Sequence, residues 1–298
     1  MSAVLPKPAA LMRDAFTNAR SIALPTLPGL LLFAAAMGGQ SWFNRLAADG
    51  SSFMLLWMCV SLVTIFVGCF WSADMYRKLM PDSGVRTVFV DAGRLFLASL
   101  AVYGLYFIVG FLLTLFFSIF AGILIGTAGY DPSENAGSTE AVWESIRALS
   151  NSGGAVLLYI LLFVAAAGLV WLGLRLFLFG AATVGERRLT IFRSWSWTSG
   201  HVSRIALLWV VLQLAPWIVL TLLASGFLHL MGVDTIFSFT TAGQGPTGDA
   251  AVPAGLYAGL TSVATLIMAP FYWLGHGLAV TLYNQLAPNR VDPDATFG

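Results

Sequence analysis

Charge is what this sequence has least of. Only 10% of its 298 residues are Asp, Glu, Lys or Arg, against about 25% in soluble domains. So few ionised groups cannot coat a water-soluble fold in which 58% of the side chains are apolar. A net charge of +1 supplies no global basic field, which argues against nucleic acid as a partner.

Cysteine and histidine are scarce too. Cys59 and Cys69 lie ten residues apart in one apolar run, about 15 Å of helical rise, too far for a disulfide within that helix. They read as free, buried thiols. The histidines at 201, 229 and 276 lack metal-ligand spacing, and no Gly-x-Ser-x-Gly, Walker loop or CxxC motif occurs. The residues therefore point to no cofactor, no metal and no catalytic set. GQGPTG (243–248) spells a dinucleotide fingerprint but contains Pro246 and follows no strand pattern. His229 and Asp234 have the His-x4-Asp spacing of glycerolipid acyltransferases, with no oxyanion-binding residues beside them.

Long apolar runs are what the chain does have. A helix crossing a bilayer needs about 20 apolar residues, and six runs qualify: 22–43, 53–74, 95–126, 155–180, 205–231 and 254–286. This predicts an all-α polytopic fold with six transmembrane helices, arranged as one integral membrane domain over 1–298. The first run follows Lys7, Arg13 and Arg20 as in a secretory signal, but Pro6, Pro8 and Pro25 interrupt the charged region, so it reads as a retained span. The third run is about 46 Å long, against a hydrocarbon core of roughly 30 Å. Tilt, or kinks at Gly104, Gly110, Gly122 or Gly126, would accommodate it.

Positive charge is distributed unevenly. Of the 15 basic residues, thirteen flank the same ends of these runs: Lys7, Arg13, Arg20, Arg77, Lys78, Arg86, Arg94, Arg175, Arg187, Arg188, Arg193, Arg204 and Arg290. Only Arg45 and Arg147 fall on the other side. Cytoplasmic loops retain positive charge, so both termini are expected in the cytoplasm.

Three amphipathic segments are expected on that face. Residues 8–20 gather Leu11, Met12, Ala15, Phe16 and Ala19 on one arc; 86–94 precedes the third run; 187–197 sets Leu189, Ile191, Phe192 and Trp195 opposite Arg187, Thr190, Ser194 and Trp197. Arg20, Arg94 and Arg204 close the three segments at the membrane edge, with Arg187, Arg188, Arg193, Trp195 and Trp197 in the headgroup zone. YRKLMP (76–81) and YNQLAP (283–288) share Tyr-x-x-Leu-x-Pro. Three helical hairpins, each introduced by an amphipathic helix, would account for both patterns.

Arg175 and the following LFLFGAATVGERRLTIFRSWSWTSGHVSRI resemble a group of bacterial six-helix membrane proteins that includes the membrane domain of some glycerophosphodiester phosphodiesterases. Arg175, Glu186, Ser194, Ser196, Gly200 and Arg204 fit its pattern, whereas GAAT stands where that family carries a proline. No phosphodiesterase domain is present. The resemblance implies architecture and a bacterial inner membrane, and leaves activity open.

Ionisable and polar groups inside spans are candidate functional residues. Arg175 and Asp74 lie at similar depth and would offset each other's desolvation as an ion pair; alternatively, each reaches water on its own. Gln213 and Pro216, with Pro270, Tyr272 and His276, mark either a solute path between kinked spans or interhelical hydrogen bonding. Gly122-x-x-x-Gly126 and Gly255-x-x-x-Gly259 suit close helix packing. Two functions are compatible with these features: a non-enzymatic module handling lipid or small solute or serving as a partner subunit, and a membrane enzyme acting on lipid at the cytoplasmic face. Membrane lipids are the expected partners, joined by a membrane protein under the subunit reading.

Overall fold

The computed structural model describes residues 5–48, 54–81, 87–127, 153–231 and 253–287, with the isolated positions 147 and 150. Among these residues every regular element is helical. They are α1 (Pro8–Ala23), α2 (Leu27–Ala48), α3 (Met54–Leu79), α4 (Val88–Thr127), α5 (Gly154–Leu176), α6 (Phe179–Gly185), α7 (Arg193–Trp197) and α8 (Val202–Trp209). A π-helical turn (Val210–Leu214) then leads into α9 (Ala215–Leu230), followed by α10 (Ala254–Ile267) and α11 (Ala269–Leu286).

Four helical stretches are long and apolar enough to cross a membrane: Leu55–Leu79, Val88–Thr127, Gly154–Gly185 and Val202–Leu230. Two bent pairs, α1 with α2 at 81° and α10 with α11 at 41°, bring the number to six if each pair is one span. The chain is an all-α polytopic membrane protein. The structure moves one boundary for a clear reason. Pro25 and Pro28 lack the N–H that would continue the helix, so the run expected to begin at 22 breaks after Ala23 and restarts at Leu27. Segment 86–94 also differs from expectation: from Val88 onward it is the first part of the 40-residue α4, not a separate helix.

The chain divides into two compact units, Met1–Ser99 with Arg175–Gly298, and Leu100–Leu174. In the second unit, the Tyr106 hydroxyl donates to Leu169 O (3.4 Å), and a Cβ on Gly173 would lie 2.8 Å from that hydroxyl.

In the first unit α2 packs against both α3 and α10. Polar side chains tie the three together, with Gln40 Nε2 donating to Ser61 Oγ (3.1 Å) and Ser41 paired with Thr261 (3.0 Å). Gly38 lets α2 approach Ala258 and Ser262 of α10, where a Cβ would collide with both. The expected Gly255 and Gly259 do not serve this purpose, since a Cβ on either would meet no described atom within 4 Å.

α1 packs along α11. Of its predicted apolar arc, Leu11, Ala15 and Ala19 are buried together with Ile22, Met12 is half-buried and Phe16 is exposed. The buried stripe faces protein. Asn18, from the polar arc, donates through Nδ2 to Thr281 Oγ1 of α11 (3.0 Å). Gly277 permits this approach, because a Cβ there would sit 2.5 Å from Ala15 O and 3.0 Å from Ala19 N. Both obstacles are backbone and cannot rotate away. Gly277→Val should therefore destabilise the protein by about 1–3 kcal/mol through overpacking, whereas Gly259→Ala should be neutral. Thermal melting of both variants in detergent checks the contrast.

Candidate functional site at the basic rim

The end of α5 leaves backbone carbonyls without partners in their own helix. Arg175 O is one of them, and Ser194 Oγ on α7 donates to it at 2.7 Å. Thr198 extends the same anchor by donating to Ser194 O (2.8 Å). In return the Arg175 Nη1 donates to Trp195 O (3.0 Å), and its guanidinium lies 5.1 Å from the centre of the Trp195 ring. A hydroxyl pair and a cation–π contact thus fix α7 against Arg175.

This anchoring orients the expected amphipathic segment. Thr190, Ser194 and Thr198 are buried, whereas Leu189 and Phe192 are 54% and 68% exposed. Thr190, Ser194 and Thr198 face the protein here, and Leu189 and Phe192 face outward. Trp197 packs inward, 5.7 Å from the ring of Tyr283.

The arginines of the rim have distinct environments. Arg188 donates through Nε (3.0 Å) and Nη2 (2.8 Å), and Arg193 through Nη1 (3.0 Å), all to Glu186 Oε2. Arg187 adopts φ 55, just past the end of α6, with its N–H on Val184 O (3.3 Å). This is the left-handed position that ends many helices and ordinarily favours glycine. Arg204 Nη1 donates to Leu5 O (3.2 Å), tying α8 to the buried Leu5 near the N-terminus. Arg20 is exposed in the last turn of α1.

A second charged group was not singled out from the sequence. Asp91, only 2% exposed, accepts from Arg77 Nη1 (2.9 Å) and lies 3.7 Å from Arg94 Nη1. Arg77 lies in the last turn of α3 and Asp91 in the first turn of α4. Each is therefore at the helix end whose dipole favours its charge. The only sequence signal was an acidic residue three positions before Arg94 in an apolar stretch.

Of the two readings of Arg175 and Asp74, the ion pair is not the one found. Asp74 instead accepts from Lys78 Nζ (2.6 Å), one turn along α3, and Lys78 also donates to Pro25 O (2.8 Å). Arg175 is occupied with Trp195, as described above.

The interhelical reading of Gln213 fits the contacts found. Pro216 has no N–H to give Leu212 O, and Gln213 Nε2 donates to that carbonyl (2.9 Å) and to Phe271 O of α11 (3.4 Å). Gly275 makes room, since a Cβ there would lie 2.9 Å from Gln213 Oε1. His276 Nδ1 is 2.7 Å from Tyr272 O, one turn back, and its ring lies 4.7 Å from that of Tyr76. The two Tyr-x-x-Leu-x-Pro tyrosines meet α6 at opposite ends. A Cβ on Gly180 would be 2.7 Å from the Tyr76 hydroxyl, and one on Gly185 would be 2.7 Å from that of Tyr283.

No protein-family model, curated protein or solved structure matches the chain. The arrangement describes a membrane protein in which Arg175, Gln213 and His276 are bonded to backbone carbonyls and Arg187, Arg188 and Arg193 cluster between the end of α6 and the start of α7.

Two substitutions distinguish these roles. Asp91→Asn leaves two arginines facing a neutral group in a buried setting and should cost about 3–5 kcal/mol, seen as a large drop in melting temperature or membrane yield. Asp74→Asn breaks only a partly exposed i,i+4 pair and should cost about 0.3–0.5 kcal/mol. Separately, Gln213→Leu should cost about 1–2 kcal/mol by orphaning Leu212 O. Pro216→Ala supplies a new donor, so a double-mutant cycle on melting should show a smaller Gln213→Leu penalty in that background.

Proposed function

We propose that the chain is a non-enzymatic module of a bacterial inner membrane, with both termini cytoplasmic, whose basic rim engages the headgroups of membrane lipids. The observation that carries this reading is the segment around α7. Exposed Leu189 and Phe192 stand beside exposed Arg188 and Arg193, with Trp195 adjacent. Apolar side chains that face outward at a helix end suit the acyl region, and guanidiniums next to them suit phosphate.

The uneven distribution of Lys and Arg supports the orientation, and the resemblance of 175–205 to bacterial six-helix membrane proteins supports the compartment. Gln213, His276 and Arg175 contribute as packing groups, each bonded to backbone.

Reporter fusions after Gly298 and within 232–252 test the orientation: the first should be active only in the cytoplasm and the second only outside it. Native mass spectrometry of gently extracted protein tests the lipid role. Retained phosphatidylglycerol in excess of its share of the membrane is the expected result. A protein that sheds all lipid, or retains a soluble substrate converted to product, would refute the proposal.

A further inference from the structure

We propose that residues 186–193 form a site for an anionic phospholipid headgroup, and that Glu186 sets its affinity by occupying the phosphate's place on Arg188 and Arg193. The inference rests on the rim reading above and adds a ligand class and a control residue to it.

One carboxylate oxygen, Glu186 Oε2, receives three N–H groups from two arginines. Guanidinium forks bind carboxylate and phosphate oxygens by the same charge-assisted geometry, so these donors suit a lipid phosphate equally well. The burial is graded. The Glu186 side chain is 17% exposed, while those of Arg188 and Arg193 are 56% and 54% exposed. A headgroup arriving from the membrane therefore meets the outer edges of both cations before it meets the inner anion.

The backbone holds the segment ready. Arg187 turns the chain through its left-handed conformation, and Thr190, buried, receives its place from a contact of its N–H with Thr183 Oγ1 (3.5 Å). Leu189 and Phe192 lie between the two arginines in sequence and are exposed. With those two side chains in the acyl region, Arg188 and Arg193 lie at the depth of phosphate. Arg187, Arg188 and Arg193 against Glu186 leave the segment net positive, and neutralising Glu186 adds one further unit.

The test uses the full chain in detergent, titrated with phosphatidylglycerol or phosphatidylcholine and read by native mass spectrometry. One charge near an anionic headgroup is worth roughly fivefold in affinity, so Glu186→Gln should bind phosphatidylglycerol about that much more tightly, with phosphatidylcholine unchanged. The gain should shrink at high salt and vanish in the Arg188→Gln/Arg193→Gln background. Should Glu186→Gln melt well below wild type, Glu186→Asp, one methylene shorter, replaces it and should give an intermediate gain. Unchanged or weaker phosphatidylglycerol binding by a folded variant, or an equal gain for phosphatidylcholine, overturns the inference alone. Wild-type protein that does not distinguish the two lipids overturns the rim reading as well.

Discussion

Hydrocarbon offers backbone amides no partners, and this constraint shapes the protein wherever a helix is interrupted. At Pro25 and Pro28 the Thr26 hydroxyl donates to Ile22 O (2.7 Å) and accepts from Trp273 Nε1 (3.1 Å). At Pro216 the Gln213 amide takes over the bond that proline cannot make. At the end of α5 a serine from another helix closes the open carbonyl. Thr26 and Gln213 each also reach α11, and Ser194 ties α7 to Arg175, so polar groups beside a local break also make tertiary contacts. Breaks in this chain are therefore places of cohesion.

The same economy governs charge. Carboxylates sit inward and arginines outward in two groups, Asp91 with Arg77 and Arg94, and Glu186 with Arg188 and Arg193. In both groups one buried or half-buried anion serves two cations. In each group the cations are more exposed than the anion they share. Placing Arg77 and Asp91 at favourable helix ends lowers the cost of taking a carboxylate out of water.

Hydrophobic run length revealed most of the architecture, because the bilayer sets a minimum apolar length that few loops meet by chance. Four spans and two bent pairs follow the six runs closely. The breaks at residues 24–26 and 268 were marked by prolines, yet their angles depend on packing partners that periodicity cannot identify. The rim was legible by composition, but its facing was not. The helix expected over 187–197 is confined to Arg193–Trp197, so the exposure of Leu189 and Phe192 and the burial of Thr190 come from a non-helical stretch. Which arc meets protein depended on Arg175 O needing a donor, a fact visible only in three dimensions. Asp74 and Arg175 were matched by depth along their helices, but Asp74 pairs with Lys78 and Arg175 with Trp195. Asp91 escaped notice because its partner Arg77 lies on a different helix.

The two tyrosines over α6 have a consequence for how this region tolerates change. Phe179–Gly185 is a short rod gripped at both ends by aromatic rings from α3 and α11, and its interior positions Ala181, Ala182 and Val184 are sealed from solvent. Neither ring can swing aside without dislodging its own neighbours, His276 for Tyr76 and Trp197 for Tyr283. A single added methyl at either glycine would act as a wedge, transmitting its displacement to two distant stretches of chain at once.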